Sequence, residues 1–193
     1  MKPISIDELM GLAAYEKARD QFRQEIIEYK KHRRLAVGER VSLLFEDRKT
    51  VLFQIQEMLR AEKITDLDKI KEEVDVYNGL IPGADELSAT LLIEIEDQSQ
   101  IRADLLKFLG IDEAVYLKIG DKHTIQATFE EGYSKEDKIS AVQYVRFCFT
   151  PEARDAFIRG EEDIRVSINH PNYKVEAKIS EEIRKSLVRD LTE

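Results

Sequence analysis

The chain has 193 residues, of which 42% are hydrophobic and 36% charged, with a formal net charge of -9. That balance excludes a disordered chain and speaks against nonspecific affinity for nucleic acid or anionic lipid. The length suffices for one sizeable core, and no Gly-, Pro- or Ser-rich linker divides it, so one domain over 1–193 is expected, helical over 1–83 and sheet-rich over 84–193.

The first ten residues carry acids early and hold no long apolar core, so neither a signal peptide nor a transit peptide is expected. No apolar run approaches the length of a membrane span. Cys148 is the single cysteine, which excludes a disulfide framework and any Cys-pair zinc or iron–sulfur site. The cytosol is the expected location.

Taken in order, Ser5 and Glu8 stand at capping-box spacing and open a short helix that ends near Gly11. Tyr15, Ala18, Phe22, Ile26 and Tyr29 recur every three or four residues, the stripe of a surface helix. Lys30-Lys-His-Arg-Arg34 puts four permanent cations at the end of that helix, where the dipole favours them; a phosphate or nucleic-acid contact is the alternative reading. Val37-Gly38 is expected to end the helix and lead into a strand from Arg40 to Phe45.

The stretch that follows is the most apolar helix of the chain. From about Asp47 to Lys63, Val51, Leu52, Ile55, Met58 and Leu59 share one side, while Phe53 points the other way among Lys49, Gln56, Glu57 and Arg60, so cover on both sides is expected. Arg48 borders the apolar stripe. Its structural reading is an ion pair with a carboxylate such as Glu46; its functional reading is a contact surface in which Arg48, Gln54, Gln56 and Glu57 offer donors and acceptors to a ligand or partner.

Thr65 and Asp68 cap a third amphipathic segment with Leu67, Ile70, Val74 and Tyr77 on one side, closed by Asn78-Gly79. Beyond it the pattern changes from helical to alternating. Ala89 to Glu96 reads as a half-buried strand with Thr90, Glu94 and Glu96 on its solvent side, and Asp97 and Gln100 cap a helix through Leu105, Leu106 and Leu109 that Gly110 ends. Strands follow at Val115 to Ile119, His123 to Glu130 and Ile139 to Thr150, the last a central strand with Val145, Phe147 and Phe149 on one face. Thr150-Pro151 starts a helix that Gly160 ends. Ile164 to His170 and Tyr173 to Ile179 form a hairpin, and Ser180 opens a terminal helix. The fold class is therefore α+β, with N-terminal helices packed on a mainly antiparallel sheet.

Chemical signatures are few. The P-loop, the dinucleotide Gly-x-Gly-x-x-Gly and the Gly-x-Ser-x-Gly elbow are absent. No histidine has Glu three residues before it, so no ferritin-like di-iron site is built, and no cofactor or metal is expected. His170 ends a strand on its inward side, suited to a turn or edge hydrogen bond or, as the alternative, to metal ligation. Cys148 beside Arg146 raises the question of a lowered thiol pKa.

The run from Val37 to Glu62, which contains Val41-Ser-Leu-Leu-Phe-Glu-Asp-Arg48, resembles the signature of the uncharacterised bacterial domain-of-unknown-function family 3501, and the His170-Pro-Asn-Tyr173 turn fits it too. The similarity spans nearly the whole chain and brings no established activity with it. Members of that family are often encoded beside rubrerythrin-like proteins and iron–sulfur electron carriers, which implies, by association, a role around oxidative stress or electron transfer. Any iron would then belong to the neighbours.

Three functions compete on this reading. The leading one is a non-enzymatic accessory or binding protein for rubrerythrin-like or iron–sulfur partners. The second is an enzyme whose acid–base site gathers Glu57, Arg48 and His170 by folding. The third is nucleic-acid binding through residues 30–34.

Overall fold

The computed structural model describes residues 1–95, 98–130, 134–135 and 138–192. Its first strands come from a segment whose side chains alternate between core and solvent. Leu35 and Val37 are buried while Arg34 and Ala36 are exposed, so Arg34–Val37 is a strand, β1, rather than the tail of the preceding helix α1 (Leu12–Lys31). Helix α1 stops at His32, and Gly38 makes the hairpin turn into β2 (Val41–Glu46). Gly38 has φ +75°, and a Cβ there would meet the Tyr173 hydroxyl at 2.4 Å. That hydroxyl donates to the carbonyl of Val37 and accepts the N–H of Arg40, which fixes the turn from outside.

Asp47 ends β2 and caps α2 (Arg48–Ala61). Its carboxylate accepts the N–H of Thr50 at 2.9 Å, and the Thr50 hydroxyl accepts the N–H of Asp47 at 2.9 Å. Val51, Ile55 and Leu59 are buried on one side as expected. The other side is covered as well: Phe53 meets Phe22 of α1 edge-on at 5.8 Å, and Gln56 is buried. Helix α3 (Leu67–Asn78) starts from Asp66, not Thr65, because the Asp66 carboxylate reaches the N–H groups of Asp68 and Lys69. As the first residue of that helix, Leu67 lies exposed instead of facing the core.

The sheet-rich part forms two main antiparallel sheets where a single one was expected. Strands β3 (Glu86–Ile93), β6 (Thr128–Phe129) and β9 (Val142–Cys148) complete a five-stranded sheet in the order β1-β2-β3-β9-β6. Strands β4 (Val115–Ile119), β5 (His123–Gln126), β10 (Ile164–His170) and β11 (Tyr173–Lys178) form a four-stranded sheet in the order β11-β10-β4-β5. The expected strand from His123 to Glu130 is divided at Ala127: β5 pairs with β4 in one sheet, and β6 pairs with β9 in the other. A small pair, β7 (Ser134–Lys135) with β8 (Lys138–Ile139), precedes β9. Helix α4 (Ile101–Leu106) stops at Lys107, short of the expected end at Gly110, while Glu96 and Asp97 lie outside the described residues.

The inner faces of the two sheets share one core, with Leu43, Phe45, Leu87, Leu91 and Phe147 from the larger and Leu117, Ile164, Val166 and Ile168 from the smaller. Helices α5 (Pro151–Arg159) and α6 (Glu181–Thr192) add Phe157, Ile183 and Leu187 to it. Helix α5 begins at the Thr150 cap with Pro151 in its first turn and ends at left-handed Gly160, as its sequence predicts. A second apolar cluster, Ile4, Val51, Ile55, Leu59, Val74, Leu80 and Ile81, joins α2 and α3 to the N-terminal segment. Ser88 and Thr90 are therefore buried, because β2 and β3 turn their outer faces toward the helices, whereas Cys148 and Thr128 on β9 and β6 stay exposed.

Ile55 is fully buried in that second cluster. Ile55→Ala is expected to lower unfolding stability by about 2–5 kcal/mol, the usual cost of a large-to-small core change, in urea titration followed by far-UV circular dichroism.

Candidate functional site

Strand register sets one row of polar side chains on the outer face of the larger sheet. Glu46 lies opposite Ser88, Ser88 opposite Arg146, and Arg146 opposite Thr128. Side chains directly opposite in antiparallel strands stand about 5 Å apart, so the row carries a carboxylate, a hydroxyl, a guanidinium and a second hydroxyl in sequence.

The two charged members of this row are already bonded. Buried Glu46 accepts from the hydroxyls of Thr50 at 2.5 Å and Thr90 at 2.6 Å and from the Gln54 amide at 2.9 Å. Arg146 pairs with Glu86 and donates to the carbonyl of Gly79. Glu86 also accepts the N–H of Gly83 at 2.6 Å. The Cys148 thiol faces the same carboxylate at 3.8 Å, and burial together with Glu86 pushes its pKa up, the reverse of the lowered value raised by the proximity of Arg146.

Ser88 differs from its neighbours. It is 3% exposed, and its hydroxyl makes no hydrogen bond within the described residues. Every described buried side-chain N or O atom closed off from solvent has a partner, so the Ser88 oxygen opens to free space. That space is a half-enclosed pocket of about 250 Å³, walled by Ser88, Thr128, Glu130, Tyr144 and Arg146 with Leu80 and Phe129 as its apolar part. The arrangement can hold a small molecule by hydrogen bonds from one wall.

A second polar centre sits between helices α1, α2 and α6. Arg33 is fully buried. Its guanidinium donates to the carbonyls of Phe45 and Glu46, to Ser186 and to Asp190, and it stands 3.4 Å from Asp47. Burial disfavours the charge, but Asp190 and Asp47 outweigh it and raise the Arg33 pKa. Tyr29 donates to Asp47, and burial with that carboxylate moves its pKa up to about 12. The run 30–34 is thus dispersed: Arg33 is interior, Lys30 lies over the Phe53 ring at 5.2 Å, and Lys31 pairs with Glu28. A cationic surface cluster for phosphates does not form, because the end of α1 turns its central arginine into the core.

The residues singled out from sequence are placed apart. Arg48 pairs with Glu8 and donates to the carbonyl of Lys2, so its partner is not Glu46. Gln54 belongs to the Glu46 network. Gln56 is buried and exchanges hydrogen bonds with the backbone of Met10. Glu57 accepts from Tyr15 and from Arg19, each at 2.8 Å. Arg48 and Glu57 lie about 180° apart on α2, since nine residues at about 100° each bring the chain to its opposite side. His170 is in the other sheet, stacked on Phe108, with Nε2 donating to the carbonyl of Leu109 and Nδ1 accepting from Asn172. Glu57, Arg48 and His170 therefore do not converge, since the larger sheet and its core lie between α2 and β10. Among the described residues, no group of three or more His, Cys, Asp and Glu side chains is placed to hold a metal ion. No helix of the described residues is long and apolar enough to cross a membrane.

Ser88 and Thr128 escaped the sequence reading. The alternation of Tyr144, Arg146 and Cys148 along one strand face was visible, but the hydroxyls opposite them are set by register between strands far apart in the chain.

Fold and pocket together define an α+β protein with a small polar pocket on the helix-covered face of its larger sheet. The family described as "Protein of unknown function (DUF3501)" matches residues 3–191, and the chain belongs to it. The chain is also similar to a novel protein of unknown function from Burkholderia pseudomallei K96243, known from a crystal structure at 1.90 Å resolution. The two share 35% identity with a TM-score of 0.91, over 98% of this chain and 100% of that one. A comparison with curated proteins finds no match.

Two outcomes follow from the charge networks. Asp190→Ala leaves the Arg33 charge buried with less compensation, and a loss of about 3–5 kcal/mol is expected in chemical denaturation. The Arg19 guanidinium holds the Glu57 carboxyl below its usual 4.5, with Tyr15 helping. That contribution is present above about pH 4.5 and fades as the pH falls through the folded-state value. The stability gap between the wild type and Glu57→Gln should therefore shrink as denaturation is repeated at decreasing pH below 4.5.

Proposed function

We propose that this chain is a non-enzymatic binding protein that holds a small polar ligand in the pocket between Ser88 and Arg146. The carrying observation is the Ser88 hydroxyl, buried, unpaired and open to the pocket. Because that oxygen opens to the pocket, its hydrogen-bonding capacity is left for water or for a ligand group that displaces it. A face optimised only for stability would place an apolar side chain there. Arg146 is held in position by Glu86 and Gly79, so the binding wall is formed before a ligand arrives.

The redox or oxidative-stress setting, with rubrerythrin-like or iron–sulfur partners, rests on the family resemblance. It supplies the context in which an accessory protein of this kind would work. Arg48, half-buried at the edge of the helical layer and paired with Glu8, would be reached by a partner that displaces that carboxylate.

The test is a thermal-shift and calorimetric screen of small polar metabolites against wild type and Ser88→Ala. Ser88→Ala should leave the melting temperature of the free protein unchanged or slightly raised, yet weaken the bound compound by about 2–12-fold, the equivalent of one neutral hydrogen bond. Equal binding by wild type and by the pocket-filling Ser88→Leu would defeat the proposal.

A further inference from the structure

The chemistry of the pocket narrows the ligand. We infer that it is a small zwitterion of the α-amino-acid type, an inference that rests on the pocket reading above. Arg146 is the one cation among the lining residues, and it is already paired with Glu86. Glu130 is the carboxylate of the lining, and Glu86 stands behind Arg146 outside it. With the Arg146 charge already offset by Glu86 and the Glu130 carboxylate in the wall, the pocket is a poor host for a simple anion.

The donors nevertheless lie together. Ser88, Arg146 and Thr128 stand side by side in a single row, and a guanidinium has five N–H donors, more than Glu86 and the Gly79 carbonyl take up. Glu130 is two residues beyond Thr128, so it projects from the same face one pleat further on, and its N–H pairs with the carbonyl of Tyr144 there. The step between the two rows is about 6.6 Å, from two residues at roughly 3.3 Å each. A carboxylate and its α-ammonium, with a hydrogen bond at each end, span that interval. The carboxylate faces the donor row, the ammonium faces Glu130, and Leu80 offers an apolar surface to the α-substituent.

Size agrees with this class. Drug-sized ligands fill pockets of about 300–1,000 Å³, and this one is about 250 Å³. Zwitterion recognition also accounts for opposite charges placed in one small cavity, a pattern that a hydrophobic or purely anionic ligand would not use.

The experiment titrates the full chain with each of the twenty L-amino acids by isothermal calorimetry. The tightest binder is then compared with its deaminated acid and its decarboxylated amine. Both analogues are expected to bind at least about 10-fold more weakly. Glu130→Gln, a change at an exposed side chain, should weaken the amino acid about 10-fold while leaving the deaminated acid unchanged. Failure of all twenty to bind, or equal affinity for the deaminated acid, overturns the zwitterion assignment. The pocket reading is judged separately, by whether any compound of the broader screen loses affinity in Ser88→Ala.

Discussion

Burial of the Arg33 charge is the constraint around which the chain is arranged. A guanidinium without water must find both counter-charge and acceptors, and here they come from three distant segments. The carbonyls of Phe45 and Glu46 and the carboxylate of Asp47 come from the end of β2, and Ser186 and Asp190 come from α6. The end of α1, the start of α2 and the C-terminal helix are thereby tied to one point. Asp47 serves twice, since it also caps α2. Consecutive Glu46 and Asp47 point to different polar systems: one answers Arg33, the other collects Thr50, Gln54 and Thr90 under the helix.

That arrangement explains which expectations succeeded. Local signals with a local cause were readable: the amphipathic run of α2, the Thr150-Pro151 start and Gly160 end of α5, the hairpin at Pro171-Asn172 and the alternation of β4 and β9. The Lys30–Arg34 run misled because four cations within five residues read as a solvated helix end, whereas Arg33 has Asp190, more than a hundred residues away, and Asp47 to neutralise it. The same local reading hid β1, a strand of four residues lying between a charged run and a glycine.

The pocket was less legible for a related reason. Ser88 and Thr128 are ordinary strand residues, and nothing in their neighbourhood along the chain marks them. Their meaning comes from cross-strand register, which pairs residues 46 with 88, 88 with 146 and 128 with 146. By contrast, the ionisable side chains that stood out on α2 are mostly consumed in joining helices, as Glu57 is by Tyr15 and Arg19 and Gln56 by Met10. Prominence along a helix reflected packing between helices, and the hydroxyl left open to a pocket lay on the sheet.

Ala127 links these layers mechanically. One extended stretch serves as the edge β5 of the smaller sheet and, past a single residue, as the edge β6 that walls the pocket. Its N–H bonds to the carbonyl of Val115, so the crossover is anchored to the smaller sheet. A sliding of one sheet against the other would therefore pull on the cavity rim at Thr128, so the width of the opening is tied to how the two inner faces pack.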